Sequence, residues 1–275
     1  VSPLRIGIVS FVNSRPLAWG LLRGRADASF ACESLPPAVI ADRLRDGSLD
    51  VGLVPSIELA RIPDLEVVPG LAIAATHEVR SVLLVSRLPV AEITTVALDE
   101  NSRTSAALVR ILLAERYGVR PRTVTVAADL PAMLAAADAA LLIGDPALAV
   151  ERERFVVLDL AGEWLELTGR PFVFAVWAAR GDVVRREGVS ANLVAALEAS
   201  FAAGWAALDE IVAETAAETG LPPPVLRDYY TRNLRYRVGP AEREGLAEFL
   251  RRAAAHGLVP AAASLRFLAA IAEIR

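Results

Sequence analysis

Four short polar blocks interrupt a largely apolar chain at places where chemistry could sit. The first, Asn13-Ser14-Arg15-Pro16, follows the apolar run Arg5-Ile6-Gly7-Ile8-Val9. Amide, hydroxyl and guanidinium groups at a helix start suit a carboxylate, because the first N–H groups of a helix lack partners and its dipole favours negative charge. Ser14 could equally be a plain N-cap. The second block, Pro55-Ser56, ends the run at 49–54, and Ser56 either donates to a ligand or caps the next turn. The third, Arg80-Ser81, leads into an apolar strand, where Ser81 either meets a ligand or bonds backbone at the strand edge. The fourth, Asn101-Ser102-Arg103-Thr104-Ser105, opens a helix with three hydroxyls and an arginine. That combination makes the best anion site in the chain. The alternative is capping by Ser102 with Thr104 and Ser105 solvated. Gly144-Asp145, after another strand, is a further candidate, although Asp145 could simply cap a helix starting at Pro146.

Histidine is the side chain that titrates near neutrality, but neither histidine here looks like a base. His77 stands beside Glu78 and Arg80 in a loop and reads as solvated. His256 precedes Gly257 at a helix end and reads as a cap or a favourable C-terminal charge. No His pairs with a Ser or Cys in the order of a nucleophile triad. Cys32 reads as a core residue in an apolar strand, and the four Trp read as core. The stretch at 24–27 is no dinucleotide fingerprint, since GxGxxG is absent.

Composition narrows the chemistry further. All 29 basic residues are Arg, and the chain has no Lys and no Gln. Without Lys there is no Schiff base, no pyridoxal phosphate aldimine and no P-loop lysine. One Cys forbids an internal disulfide and a thiolate zinc cluster, and two His 179 positions apart do not make a zinc-protease helix. A net charge of −4 gives no field that attracts nucleic acid. No apolar run approaches the ~20 residues that span a bilayer. With no charged n-region and apolar h-region ahead of the first strand, the expected compartment is the cytoplasm.

The elements that must position these blocks alternate strand and helix. Strands are expected at 5–10, 49–54, 65–68, 71–75, 81–86, 95–98, 123–127, 139–143, 155–159 and 172–178. Helices are expected from the 13–16 turn through 22, then at 37–46, 102–117, 130–137, 191–219, 224–233 and 241–255. Such alternation argues for parallel α/β sheets. Two sets joined by apolar strands near 81–88 and 171–180 give two lobes with a ligand cleft between them. The expected division is 1–85 plus 178–275 for lobe one and 86–177 for lobe two. Apolar faces on the terminal helices could pair chains as a homodimer or pack on lobe one.

The polar blocks, taken in order, resemble the chorismate dehydratase family of the futalosine route to menaquinone. The resemblance runs through residues 5–17, 49–58, 79–86, 102–105, 139–145, 164–177 and 232–236, so it covers nearly the whole chain. The Asn-Ser-Arg-Pro block favours this family over the sister enzyme that makes dihydroxynaphthoate. The resemblance implies a two-lobed fold like type II periplasmic binding proteins. It implies conversion of chorismate, a small anionic substrate, to 3-[(1-carboxyvinyl)oxy]benzoate and water without a cofactor. It also implies active-site roles for Asn13 and Ser81. Ser14, Arg15, Ser56, Ser102, Arg103, Thr104, Ser105 and Asp145 are the expected substrate-binding residues. With no Lys and no credible His base, the expected mechanism is substrate-assisted: the enolpyruvyl carboxylate takes the proton. The helix starts at Ser14 and Ser102 would bind the two carboxylates. The competing reading is a non-catalytic solute-binding protein of the same fold for a small carboxylate.

Overall fold

The structure, a computed structural model, describes residues 2–23, 29–260 and 265–268. The 24–27 stretch lies outside the described residues. The chain begins with β1 (Leu4–Val9), α1 (Arg15–Arg23), β2 (Phe30–Leu35), α2 (Pro37–Arg45), β3 (Val51–Pro55) and β4 (Leu65–Ala75). A middle section follows with β5 (Val82–Ser86), β6 (Thr95–Asp99), α3 (Thr104–Arg116), β7 (Arg122–Val126) and α4 (Leu130–Ala136). It continues through β8 (Ala139–Ile143), α5 (Asp145–Leu148), β9 (Val156–Asp159) and α6 (Leu160–Thr168). The last section holds β10 (Phe172–Arg180), α7 (Gly181–Val184), α8 (Val189–Ala206), α9 (Leu208–Thr219), α10 (Pro223–Asp228), β11 (Arg235–Arg237) and α11 (Pro240–Ala255).

Two sheets form. One has the order β11-β4-β10-β3-β1-β2, the other β7-β6-β8-β5-β9. Both are mixed rather than parallel. β1 runs parallel to β2 and β3, and β6 parallel to β7 and β8. The strands that open each visit to a lobe run the other way: β5 is antiparallel to β8 and β9, and β10 to β3 and β4. A chain that crosses from the neighbouring lobe arrives at the cleft end of the sheet, so its first strand must run away from the cleft. For the same reason the expected boundaries at 85/86 and 177/178 cut through strands. β5 pairs wholly within the second sheet and β10 wholly within the first, in its interior. The chain passes from the first sheet to the second between β4 and β5, and back between β9 and β10.

Asp159 ties the crossings together. Its carboxylate accepts from Val79 N at 3.0 Å and Arg80 N at 2.7 Å on the outward crossing. It also accepts from Ala161 N at 3.2 Å, capping α6 at the start of the return crossing. Arg80 has φ of +64°, a strained conformation for a side chain of its size.

Several elements differ from expectation. β4 is one strand rather than two, because Gly70 at φ +97° lets it pass a Pro-Gly bend without ending. The expected helix at 191–219 breaks at Ala207 into α8 and α9, bent by 74°. No single described helix is long and apolar enough to cross a membrane. Trp164 and Trp177 are fully buried, whereas Trp205 is exposed at 43%. Cys32 is only half-buried because β2 is an edge strand, and burial pushes its thiol pKa up.

Candidate active site

The strand ends of the two sheets face one another across a cleft. Lobe one contributes Val9, Phe11 and Asn13 after β1, Pro55 after β3, and Phe174 near the start of β10. Lobe two contributes Ser81 and Val82 at the start of β5, Asn101 to Ser105 after β6, and Ile143 with Gly144 after β8.

Asn13 and Ser81 both line this cleft. A 3-10 turn at Val12–Ser14 turns Asn13 inward, and Tyr236 donates its hydroxyl to the Asn13 carbonyl at 2.9 Å. The Asn13 Oδ1 atom is buried without a hydrogen-bond partner. Ser81 is buried, and its carbonyl accepts from Gly144 N at 2.8 Å, extending the β5–β8 ladder by one pair.

The fourth block is the lobe-two wall. Ser102, Arg103, Thr104 and Ser105 all line the cleft. The capping reading of Ser102 does not hold. α3 begins at Thr104 with no side-chain cap, and the Ser102 hydroxyl is buried without a partner. Asp99 organises the turn instead, accepting Asn101 N at 2.9 Å on its carboxylate and Ser102 N at 2.9 Å on its carbonyl. Burial raises the Asp99 pKa, and the Asn101 hydrogen bonds only partly offset this. An uncapped, buried helix start beside an unpartnered hydroxyl offers hydrogen-bond donors of the kind that suit an anion. Thr104 Oγ1 accepts from Ile57 N at 3.3 Å, joining the lobes. The Arg103 guanidinium reaches back to lobe one, donating to Asp42 at 2.7 Å and lying 3.5 Å from the fully buried Glu58.

Four expected binding residues do not face the cleft or are committed elsewhere. Ser14 does not line the cleft and does not cap a helix: its hydroxyl donates to the carbonyls of Val9 at 2.5 Å and Phe11 at 3.0 Å. Arg15 turns outward to Glu218 and Thr215 because α9 packs beside α1. Ser56 is fully buried and donates to Val173 O at 2.7 Å, tying β3 to β10. Asp145 accepts from Val12 N at 3.1 Å across the two lobes, so it neither caps α5 nor lines the cleft. Burial raises its carboxyl pKa, partly opposed by that N–H and by Arg15.

His77 is exposed, and His256 ends α11 with its Nε2 at 2.8 Å from Glu115. Among the described residues, no group of three or more His, Cys, Asp and Glu side chains is placed to hold a metal ion. The polar blocks did not reveal the apolar lining: Phe11, Pro37, Ile73, Val79 and Phe174 form much of it. The signal for Phe11 and Phe174 was an aromatic residue at a strand end beside a polar block.

The family described as menaquinone biosynthesis matches residues 4–255. A chorismate dehydratase of Thermus thermophilus is 32% identical over 266 residues, which cover 90% of this chain and 94% of that protein. Among solved structures, a protein of Archaeoglobus fulgidus has a TM-score of 0.79 at 16% identity, covering 94% of this chain and 99% of its own. The periplasmic aliphatic sulphonate binding protein SsuA of Escherichia coli has a TM-score of 0.64 at 20% identity, covering 100% and 96%. At these identities the structures establish the fold, which is that of the two-lobed periplasmic binding proteins. The family match spans both lobes and every element that lines the cleft, and on that ground the chain belongs to the menaquinone biosynthesis family.

Proposed function

We propose that the chain is a hydro-lyase that converts chorismate to 3-[(1-carboxyvinyl)oxy]benzoate and water in menaquinone biosynthesis. The observation that carries this reading is the cleft itself. It gathers Asn13, Ser81 and an uncapped helix start with the unpartnered Ser102 hydroxyl, within a chain of the matching family.

The reaction removes the proton from C3 and the hydroxyl from C4 of the ring. The C3–H electron pair becomes the C3–C4 π bond, the ring becomes aromatic, and proton and hydroxide leave as water. The driving force is large, so orientation and stabilisation of the departing hydroxide are the main tasks. The start of α3, with Ser102, Thr104 and Ser105, binds one substrate carboxylate. Asn13 and Ser81 hold the enolpyruvyl carboxylate or the leaving hydroxyl, and that carboxylate takes the C3 proton. Arg103 supplies positive potential at the cleft wall while paired to Asp42. Asp145 is a link between the lobes in this scheme. A small, charged substrate supports a cytoplasmic location for the enzyme.

The test is to incubate the protein with chorismate and follow the loss of diene absorbance and the rise of a benzoate spectrum. An unchanged spectrum, with tight binding of another small carboxylate, would refute the enzyme and establish a solute-binding protein. Turnover is expected to survive in a folded Asp145→Asn protein, since that carboxylate does not line the cleft.

A further inference from the structure

Three tyrosines pack behind Asn13. Tyr229, Tyr230 and Tyr236 are all buried. Two of them hold backbone: Tyr230 donates to Val12 O at 3.2 Å and Tyr236 to Asn13 O at 2.9 Å. Tyr229 differs. Its hydroxyl is buried with no hydrogen-bond partner, and it neighbours the Asn13 and Ser81 side chains. Asn13 Oδ1 is likewise buried and partnerless, although the residue as a whole is partly exposed. A buried donor and a buried acceptor left unpaired are each costly, and a hydrogen bond between them would remove both penalties.

The backbone supplies a second observation. After α10 the chain widens into a single π turn, Tyr229–Asn233, closed by Leu234 N donating to Tyr229 O at 3.0 Å. Consecutive residues of a regular helix point about 100° apart. The wider turn brings both Tyr229 and Tyr230 inward, with ring centroids 5.6 Å apart. Such turns are rare and recur at functional sites. Tyr229 is not among the residues that line the cleft, so it acts through a neighbour.

We propose that Tyr229 is a positioning residue: its hydroxyl donates to Asn13 Oδ1 and so fixes the carboxamide with its NH₂ group toward the cleft. The Asn13 amide can otherwise flip and present its carbonyl to an anionic substrate, which would repel it. Burial holds the Tyr229 phenol well above its ordinary pKa, so it stays protonated and remains a donor. The orientation of Asn13 is independent of what the cleft binds; its catalytic consequence rests on the dehydratase reading.

The composition makes the test unusually clean. The chain has four Asn (Asn13, Asn101, Asn192, Asn233) and no Gln, so only four side-chain amide pairs appear in a nitrogen–proton correlation spectrum. Asn13→Ser identifies the Asn13 pair. In Tyr229→Phe that pair is expected to shift while the other three stay. On chorismate, kcat is expected to fall roughly 3- to 10-fold, the size of one lost hydrogen bond. An unmoved Asn13 pair overturns the proposal whatever the turnover. A moved pair with no chorismate turnover by the parent protein upholds the positioning and refutes the dehydratase reading instead. A moved pair with unchanged kcat in an active enzyme overturns the catalytic role. If Tyr229→Phe does not fold, the parent protein answers the question: a nuclear Overhauser contact between the Tyr229 hydroxyl proton and the Asn13 amide protons is expected, and its absence overturns the proposal.

Discussion

Gly144→Ala should separate the stability of the fold from the closure of the cleft. Gly144 adopts φ +64° and ψ −141°, a region open essentially to glycine alone. A Cβ there would lie 2.6 Å from Phe11 Cδ1 and 2.8 Å from Phe11 Cε1. Carbon atoms pack best at about 3.5–4.0 Å, so the contact is short by about 1 Å. The two penalties fall on different states. Backbone strain of about 1–3 kcal/mol acts whether the lobes are open or closed. The overpacking of about 1–3 kcal/mol acts only when lobe two, carrying Gly144, meets lobe one, carrying Phe11. The first lowers the melting temperature by several degrees for a chain of this size. The second weakens ligand binding about 5- to 150-fold. Calorimetric titration with the benzoate product and a thermal melt read the two terms separately. In a Phe11→Leu background the affinity loss should shrink, because the planar ring is what the new methyl meets. A lowered melting temperature with unchanged product affinity in both backgrounds would refute the assignment of the Phe11 contact to the closed state.

Two further outcomes follow from the same geometry. Ser102→Ala removes a buried hydroxyl that has no partner; KM for chorismate should rise about 3- to 10-fold with no loss of melting temperature, and a drop of several degrees at constant KM would make Ser102 a structural residue after all. Asp138 accepts from the N–H and hydroxyl of both Thr94 and Thr95, which lower its pKa to about 2. A carboxylate depressed on folding stabilises above its unfolded pKa of 3.8, and that stability is lost as pH falls through about 2. Thermal melts between those values should therefore decline less steeply for Asp138→Asn than for the parent, and parallel curves would contradict this.

Most sheet strands and the cleft's polar corners were legible because they depend on local pattern; the edge strands β2 and β11 were not among the strand ranges expected. Apolar runs such as 139–143 and 172–178 announce buried strands, and the polar blocks at their ends announced Asn13, Ser81 and Ser102. The direction of β5 and β10 was not legible, because it depends on which lobe the chain has just left. Ser14 and Arg15 were misleading for a related reason. Their local pattern resembles an anion site, but the partners that claim them are the Val9 carbonyl and Glu218, the latter 203 residues away in sequence. Tyr229 was invisible because a π turn has no sequence signature of its own. The break at Ala207 likewise lacks a proline or glycine at the bend, so a continuous helix was the natural expectation.

The interior position of β10 sets an order of assembly during synthesis. Lobe two is contiguous from Val82 to Asp159, and every strand of its sheet leaves the ribosome before β10 does. Lobe one cannot close its sheet until Phe172–Arg180 has slotted between β3 and β4. Until then those two early strands present bare edges, the kind of surface that templates aggregation. A released fragment ending near residue 170 should show protected amides in lobe two and exchanging ones in β4; protection in β4 at that length would refute the order. The first half of the polypeptide thus waits on the second, and the segment of synthesis between residues 55 and 172 is where the young chain most needs shelter.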